Sequence, residues 1–322
     1  MLFLIIAIAL AAASCWPPAI LTPYVAEEFP ICTDPANQLD SLISGDIVVW
    51  WDARNGNFDI YGYNLSTDAE FTIFVNSTGL LCGLAVSGDI VLWQDWRNGN
   101  ADIYGYNLTT ETEFALCTNP AYQEWPAMSG DIVVWNDDRN GNNDIYGYNL
   151  ATDTEFPICT DPARQHQPAV SGDIVVWTDQ RNGYKDIYGY DLATNTELAI
   201  CTAPLEQQYL AISEEIVVWR DWRNGNPDIY GYNLATETEF AICTDPARQH
   251  QPAVSGDIVV WTDQRNGNKD IYGYDLATNT ELAICTAPLG QRDPAISGEI
   301  VVWTDSRNGN WDIYGARLSF EE

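Results

Sequence analysis

Positive charge is what this sequence has least of. Against 46 Asp and Glu stand 14 Lys and Arg, giving a formal net charge of -32 over 322 residues. A surface of that sign repels phosphate backbones and anionic headgroups, so nucleic acid is not an expected partner. Histidine is nearly missing too: only His166 and His250 occur, at equivalent positions of a duplicated segment. Neither sits in a pattern with Cys, Ser or Asp that would pair a nucleophile with a base, and both are expected to be ordinary surface or loop residues. Long apolar runs are also lacking, with one exception. Leu2 through Ala13 has the length of a signal-peptide core and is short for a bilayer span.

That run marks residues 1–26 as an export leader with its linker, and it places the rest of the chain outside the cell or on its surface. Ala13-Ser14-Cys15 has the form of a lipoprotein cleavage site, which makes Cys15 a candidate for lipidation. Membrane attachment, if any, is then expected through the N-terminus alone. The triplets beginning at Asn64, Asn76 and Asn107 fit the glycosylation pattern and agree with an exported chain.

Eight cysteines in an exported protein suggest disulfides, but their placement argues against them. Cys32, Cys117, Cys159, Cys201, Cys243 and Cys285 occupy one site in successive repeats, which Phe74 fills in the first. Equivalent atoms in stacked sheets lie roughly 10 Å apart, whereas a disulfide needs Cα atoms within about 7 Å. Small buried apolar residues are the expected role. Cys82 falls outside the pattern and is expected to be free.

What is abundant is repetition. Seven copies of an Asp-x-Arg-Asn-Gly-x-x-Asp-Ile-Tyr-Gly stretch start at Asp52, Asp95, Asp137, Asp179, Asp221, Asp263 and Asp305, each with Trp two residues ahead. The spacing is 43 residues once and 42 thereafter, a period that belongs to β-propellers. In the sixth copy, Ile258–Trp261 reads as a strand buried on both faces, Asn266-Gly267 as a hairpin turn, and 271–276 and 281–285 as the next two strands. A short first strand is expected at Gln251–Ser255, with Pro252 near its beginning. Four antiparallel strands in each of seven repeats predict an all-β, seven-bladed propeller. The last repeat stops after its third strand. Glu27–Thr33 matches the missing fourth, as comparison with Thr154–Thr160 shows. The N-terminal strand is therefore expected to complete the last blade, closing residues 27–322 into one ring without open edges. The expected state is a monomer.

The unit from Val259 to Leu276 resembles the repeat of TolB-like propellers, the PD40 or WD40-like class. In its Trp and Asn-Gly-Asn form it is similar to repeats of archaeal cell-surface proteins. The resemblance covers Glu27 to Leu318. It implies the fold, while relatives of this class include binding scaffolds, protease-associated propellers and lyases. Seven units and no second domain in this sequence depart from TolB, so a TolB-type transport role is not expected.

The oxygen-rich Asp-x-Arg-Asn-Gly-Asn-x-Asp segment makes calcium the sharpest cofactor hypothesis. Arg at the third position opposes it, since a cation beside a metal costs affinity. The favoured reading makes Asp263, Arg265 and Asp270 an ion-pair and turn-capping device. Trp261 and Tyr272 are then packing between blades, and no cofactor is expected. A feature needed in every blade builds the blade. Ligand contacts are sought where the repeat is broken, at Trp96 and Trp222 in the hairpins and at Tyr122, Trp125 and Tyr209 ahead of the third and fifth blades. Hairpin and blade-to-blade loops should share one face, and the position occupied by Ala53, Trp96, Asp138, Gln180, Trp222, Gln264 and Ser306 varies on it. The expected function is a non-enzymatic scaffold for protein or glycan at the cell surface. A carbohydrate-active hydrolase or lyase using carboxylates around the channel, and a structural envelope component, are the alternatives.

Overall fold

A computed structural model describes residues 24–76 and 81–320. The leader and Cys15 lie outside the described residues, as does part of the Asn76 triplet. The rest is a ring of seven four-stranded antiparallel sheets. In blade 6 the strands are Gln249–Ser255, Ile258–Asp263, Asp270–Asp275 and Thr280–Cys285, running from the channel outward. Blades 1 to 5 repeat this order over residues 38–74, 81–117, 123–159, 165–201 and 207–243, and blade 7 begins at residue 291.

Each strand follows from its residues. Ile258–Asp263 is buried at all six positions, which is why β-branched and aromatic residues fill it. The strand runs two residues beyond Trp261 because Asp263 pairs in register with Asp270 across the hairpin. Gly267 takes the left-handed φ of 91° that closes this turn. The inner strand begins two residues earlier than the sequence pattern suggests, and Pro252 lies in its interior. A bulge explains this: the register shifts between His250 and Ala253, so the missing amide of Pro252 leaves no ladder bond unmade.

Tryptophan fills the wedge between sheets. Trp261 is wholly buried and packs with Val218, Ile229 and Cys243 of the preceding blade. The seven described cysteines are free, the six repeated ones buried and Cys82 partly so. Burial pushes the Cys243 thiol up to about 12, so it remains a neutral, small apolar group.

Closure is carried by the N-terminal strand. Tyr24–Cys32 pairs antiparallel with Asp312–Phe320, supplying the fourth strand of blade 7. On one face, the Ser hydroxyl ending each inner strand accepts a hydrogen bond from the turn amide of the next blade. The Gly298 amide donates to Ser255 Oγ at 2.9 Å, and the Gly45 amide donates to Ser297 Oγ at 2.9 Å across the junction of first and last blades.

Candidate functional site

The repeated hairpin is a mounting, built the same way around the ring. Asp263 is buried, receives the Trp261 indole N–H at 2.9 Å and the Arg265 amide at 2.8 Å, and pairs with the Arg265 guanidinium at 2.8 Å. Arg265 also reaches Glu281 at 2.6 Å, lies 4.2 Å above the Tyr272 ring, and touches Cys243 Sγ of the preceding blade at 3.3 Å. Burial disfavours its charge, but the two carboxylates outweigh this and hold it protonated. Asp270 accepts from Asn266 Nδ2 at 2.8 Å. Burial raises its carboxyl, and that bond partly offsets the rise. The five repeat residues thus meet in one cluster, with a guanidinium between the carboxylates of Asp263 and Glu281. Among the described residues, no group of three or more His, Cys, Asp and Glu is arranged to hold a metal ion.

The hairpins and the blade-to-blade loops emerge together, as their bonds show: Asn142 Nδ2 donates to Ala163 O at 2.8 Å, and the Gln165 amide to Asn143 O at 2.9 Å. This loop face carries every exposed large apolar side chain among the described residues: Phe58, Val75, Tyr122, Trp125, Tyr184, Leu205, Tyr209 and Leu289.

The channel opens at its centre. The third residue of each inner strand sits on the bulge with a left-handed backbone: Asp40, Gly83, Trp125, Gln167, Tyr209, Gln251 and Asp293, with φ between 51° and 59°. Each blade thereby turns one residue into a cavity of about 330 Å³. The repeat imposes the conformation but not the residue type. At Gly83 an added Cβ would come within 3.1 Å of Pro126 Cδ and 3.4 Å of the Trp125 nitrogen, so this glycine leaves room beside Trp125.

Asp40 and Asp293 meet where the chain's first and last blades adjoin. Burial first, and then the Asp293 charge, raise the Asp40 carboxyl to about 6, with Arg292 partly opposing the shift. Much of the Asp40 surface faces the channel space, yet protein surrounds that space, so water there screens less than bulk solvent. Arg292 pairs with Asp293 at 3.2 Å and lies 4.4 Å from the Trp311 ring.

The five aromatic candidates share the loop face but form three groups. Trp125 and Tyr209 project into the channel, 49% and 40% exposed. Trp96 and Tyr122 pack together outside it with centroids 5.3 Å apart. Trp222 joins Tyr209 through Arg220, whose guanidinium lies 5.5 Å and 4.3 Å from the two rings. Arg220 also bonds the Gln208 side chain and, at 3.1 Å, His250 Nδ1 of the next blade. His166 and His250 lie within inner strands and are half-buried, not in loops. Burial and then the charges of Arg220, Lys269 and Arg248 push His250 down to about 4. Burial, Lys185 and Arg164 lower His166.

Asp40, Asp293, Arg220 and Arg292 are the functional candidates that sequence reasoning passed over. The signal was available: the third residue after each blade-entry loop varies as Asp, Gly, Trp, Gln, Tyr, Gln and Asp, in otherwise regular surroundings. The residue before each second-strand Asp also varies, from Trp51 to Arg220, and Trp51 lines the channel.

No family model and no curated protein matches the chain in sequence. Solved structures do resemble it. TolB from Acinetobacter baumannii is 15% identical with a TM-score of 0.56, over 74% of this chain and 62% of that one, so the chain spans under two thirds of that protein's length. An oligogalacturonate lyase from Vibrio parahaemolyticus is 11% identical with a TM-score of 0.68, covering 92% of this chain and 96% of that one. The propeller domain of the Trilobed protease from Pyrococcus furiosus is 12% identical with a TM-score of 0.67, over 89% and 99% of the two chains. That domain is described as having an open velcro topology, whereas here the N-terminal strand completes the last blade. At these identities the likeness establishes a TolB-like propeller fold and leaves function to the site itself.

Proposed function

We propose that this is an exported cell-surface propeller of the archaeal TolB-like type that binds a protein or glycan at the channel mouth of its loop face, as a monomer and without a cofactor. Residues 27–322 form the binding unit behind a leader in residues 1–26. One observation carries the reading. The bulge demands a left-handed backbone in each blade, yet only blade 2 supplies glycine there, and Trp125 and Tyr209 are bulky residues in that conformation. The repeat imposes the conformation, so what distinguishes the blades is the side chain each one lifts to the channel mouth, aromatic in blades 3 and 5. Aromatic rings beside carboxylates and a guanidinium suit recognition of a partly apolar, hydroxyl-rich ligand.

A glycan array probed with the full chain and with a Trp125→Ala/Tyr209→Ala variant tests this. The expected result is a bound glycan class lost in the variant, with an unchanged melting temperature. Equal retention by both proteins would remove the channel mouth as the site.

The Asp40–Asp293 pair favours a second reading, a carbohydrate-active enzyme. Two adjacent carboxyls, with that of Asp40 raised by burial and by its neighbour's charge, can divide acid and base roles. Turnover in a hydrolase and lyase screen that disappears in Asp40→Asn would replace binding with catalysis.

A further inference from the structure

The few cations of this acidic chain are divided sharply by place. The seven repeat arginines are each held by a carboxylate of their own hairpin, as Arg265 is by Asp263 at 2.8 Å. Seven cations remain: Arg164, Lys185, Arg220, Arg248, Lys269, Arg292 and Arg317. The first six lie at the loop-face ends of blades 4 to 7, while Arg317 lies toward the opposite rim, paired in register with Glu27. Among the described residues, no carboxylate lies within 4.0 Å of the charged groups of Arg164, Lys185, Arg220, Arg248 or Lys269. Blades 1 and 3 place Asn37 and Tyr122 where blades 4 and 6 have Arg164 and Arg248, and blades 1 to 3 place Phe58, Ala101 and Asn143 where they have Lys185 and Lys269.

These cations stand on fixed backbone. The Gln180 amide donates to Arg164 O at 3.0 Å, and the Gln207 amide to Lys185 O at 2.8 Å. In the second copy, Gln264 and Gln291 make the same bonds to Arg248 O and Lys269 O at 3.1 and 2.8 Å. The arrangement is thus an arc: an Arg–Lys cluster around His166, Arg220 on the next blade, and an identical Arg–Lys cluster around His250. Burial first, and then the charges of Lys185 and Arg164 on His166 and of Arg220, Lys269 and Arg248 on His250, lower the two histidines. Exposed Tyr184 adjoins the first cluster, and Tyr209 and Trp222 flank Arg220.

We propose that the loop face over blades 4 to 7 docks an acidic polysaccharide, whose carboxylates pair with Arg220 and the two Arg–Lys clusters while its sugar rings stack on Tyr209, Trp222 and Tyr184. The proposal deepens the binding reading above and rests on it. Charge complementarity selects the anion, because an acidic polymer is repelled by the rest of the molecule and attracted here. Aromatic faces between the cations fit the C–H faces of sugar rings, and two identical clusters fit a polymer of constant charge spacing.

The test is calorimetric titration of the full chain with alginate, a polyuronate, at low and high salt, beside neutral dextran, poly-L-glutamate and single-stranded DNA. The expected result is alginate binding that weakens at least tenfold in Arg220→Gln and in an Arg164→Gln/Lys185→Gln/Arg248→Gln/Lys269→Gln variant. Arg317→Gln on the other rim should leave binding and melting unchanged, and added salt should weaken it through screening. No alginate binding at low salt, or binding equal in all variants, overturns the proposal. Equally tight poly-L-glutamate or DNA overturns the ligand class. Binding only of a neutral glycan through Trp125 and Tyr209 removes this inference and leaves the channel-mouth reading standing.

Discussion

The two faces of the disc are made from the same seven repeats and have opposite characters. On the turn face, Ser hydroxyls link blade to blade, and short Asn or Asp side chains cap each outer turn, as Asp191 does for the Ala193 amide at 2.8 Å. Large apolar residues are not exposed there among the described residues. On the loop face, by contrast, the mounting of Asp, Arg, Trp and Tyr is uniform while the residues it lifts toward the channel differ from blade to blade. Uniform chemistry therefore marks what holds the ring, and variation marks what it presents.

The largest expected effect breaks both faces together. Deleting residues 27–33 removes the outer strand of blade 7 and exposes a sheet edge. The melting temperature should fall by about 10 °C or more, on the usual scaling of a few degrees per kcal/mol; an unchanged thermal melt would show that the ring does not need this strand.

Next comes the mounting. Arg265→Met leaves the buried Asp263 without its counter-charge, which should cost about 3–5 kcal/mol in chemical denaturation. A loss below about 1 kcal/mol would mean that the ion pair is dispensable in its blade.

The smallest effect sharpens the contrast between faces through pH. Asp40 titrates near 6 in the folded protein, above its ordinary 3.8. The folded state therefore binds this proton more tightly than the unfolded one, and the stability it contributes at low pH is lost as pH rises from about 4 to about 6. Asp191 is shifted the other way, lowered by hydrogen bonds from Thr194 and Ala193. Its contribution is present above its ordinary 3.8 and is lost as pH falls below that value. Unfolding curves between pH 3 and 7 should show Asp40→Asn gaining stability relative to the parent above pH 6 and Asp191→Ala losing it. Parallel curves for both would remove the distinction.

Much of this was legible in the chain. The Trp, Arg-Asn-Gly and Asp-Ile-Tyr spacings predict the strands and hairpins at their places, because each turn carries its own chemistry. The equivalence of the cysteines predicts that they stay unpaired. Trp125 and Tyr209 were found as breaks in the repeat. Asp40 and Asp293 were hidden among many carboxylates, and Pro252 was placed at a strand beginning because a bulge has no residue signature of its own: Asp, Trp, Gln and Tyr all occupy it. The histidines, expected at the surface or in loops, lie half-buried in inner strands, since nothing local shows that the inner strand starts two residues earlier.

By itself, then, the sequence determined the number of blades, their strand order and the strand that closes them, since these follow from local patterns repeated seven times. Only the tertiary structure decided which residues face the channel and which charges become neighbours. The bulge overrides strand alternation, and closure brings Asp40 beside Asp293 from opposite ends of the chain. The cations of blades 4 to 7 form an arc only because the ring turns sequence distance into position on a circle.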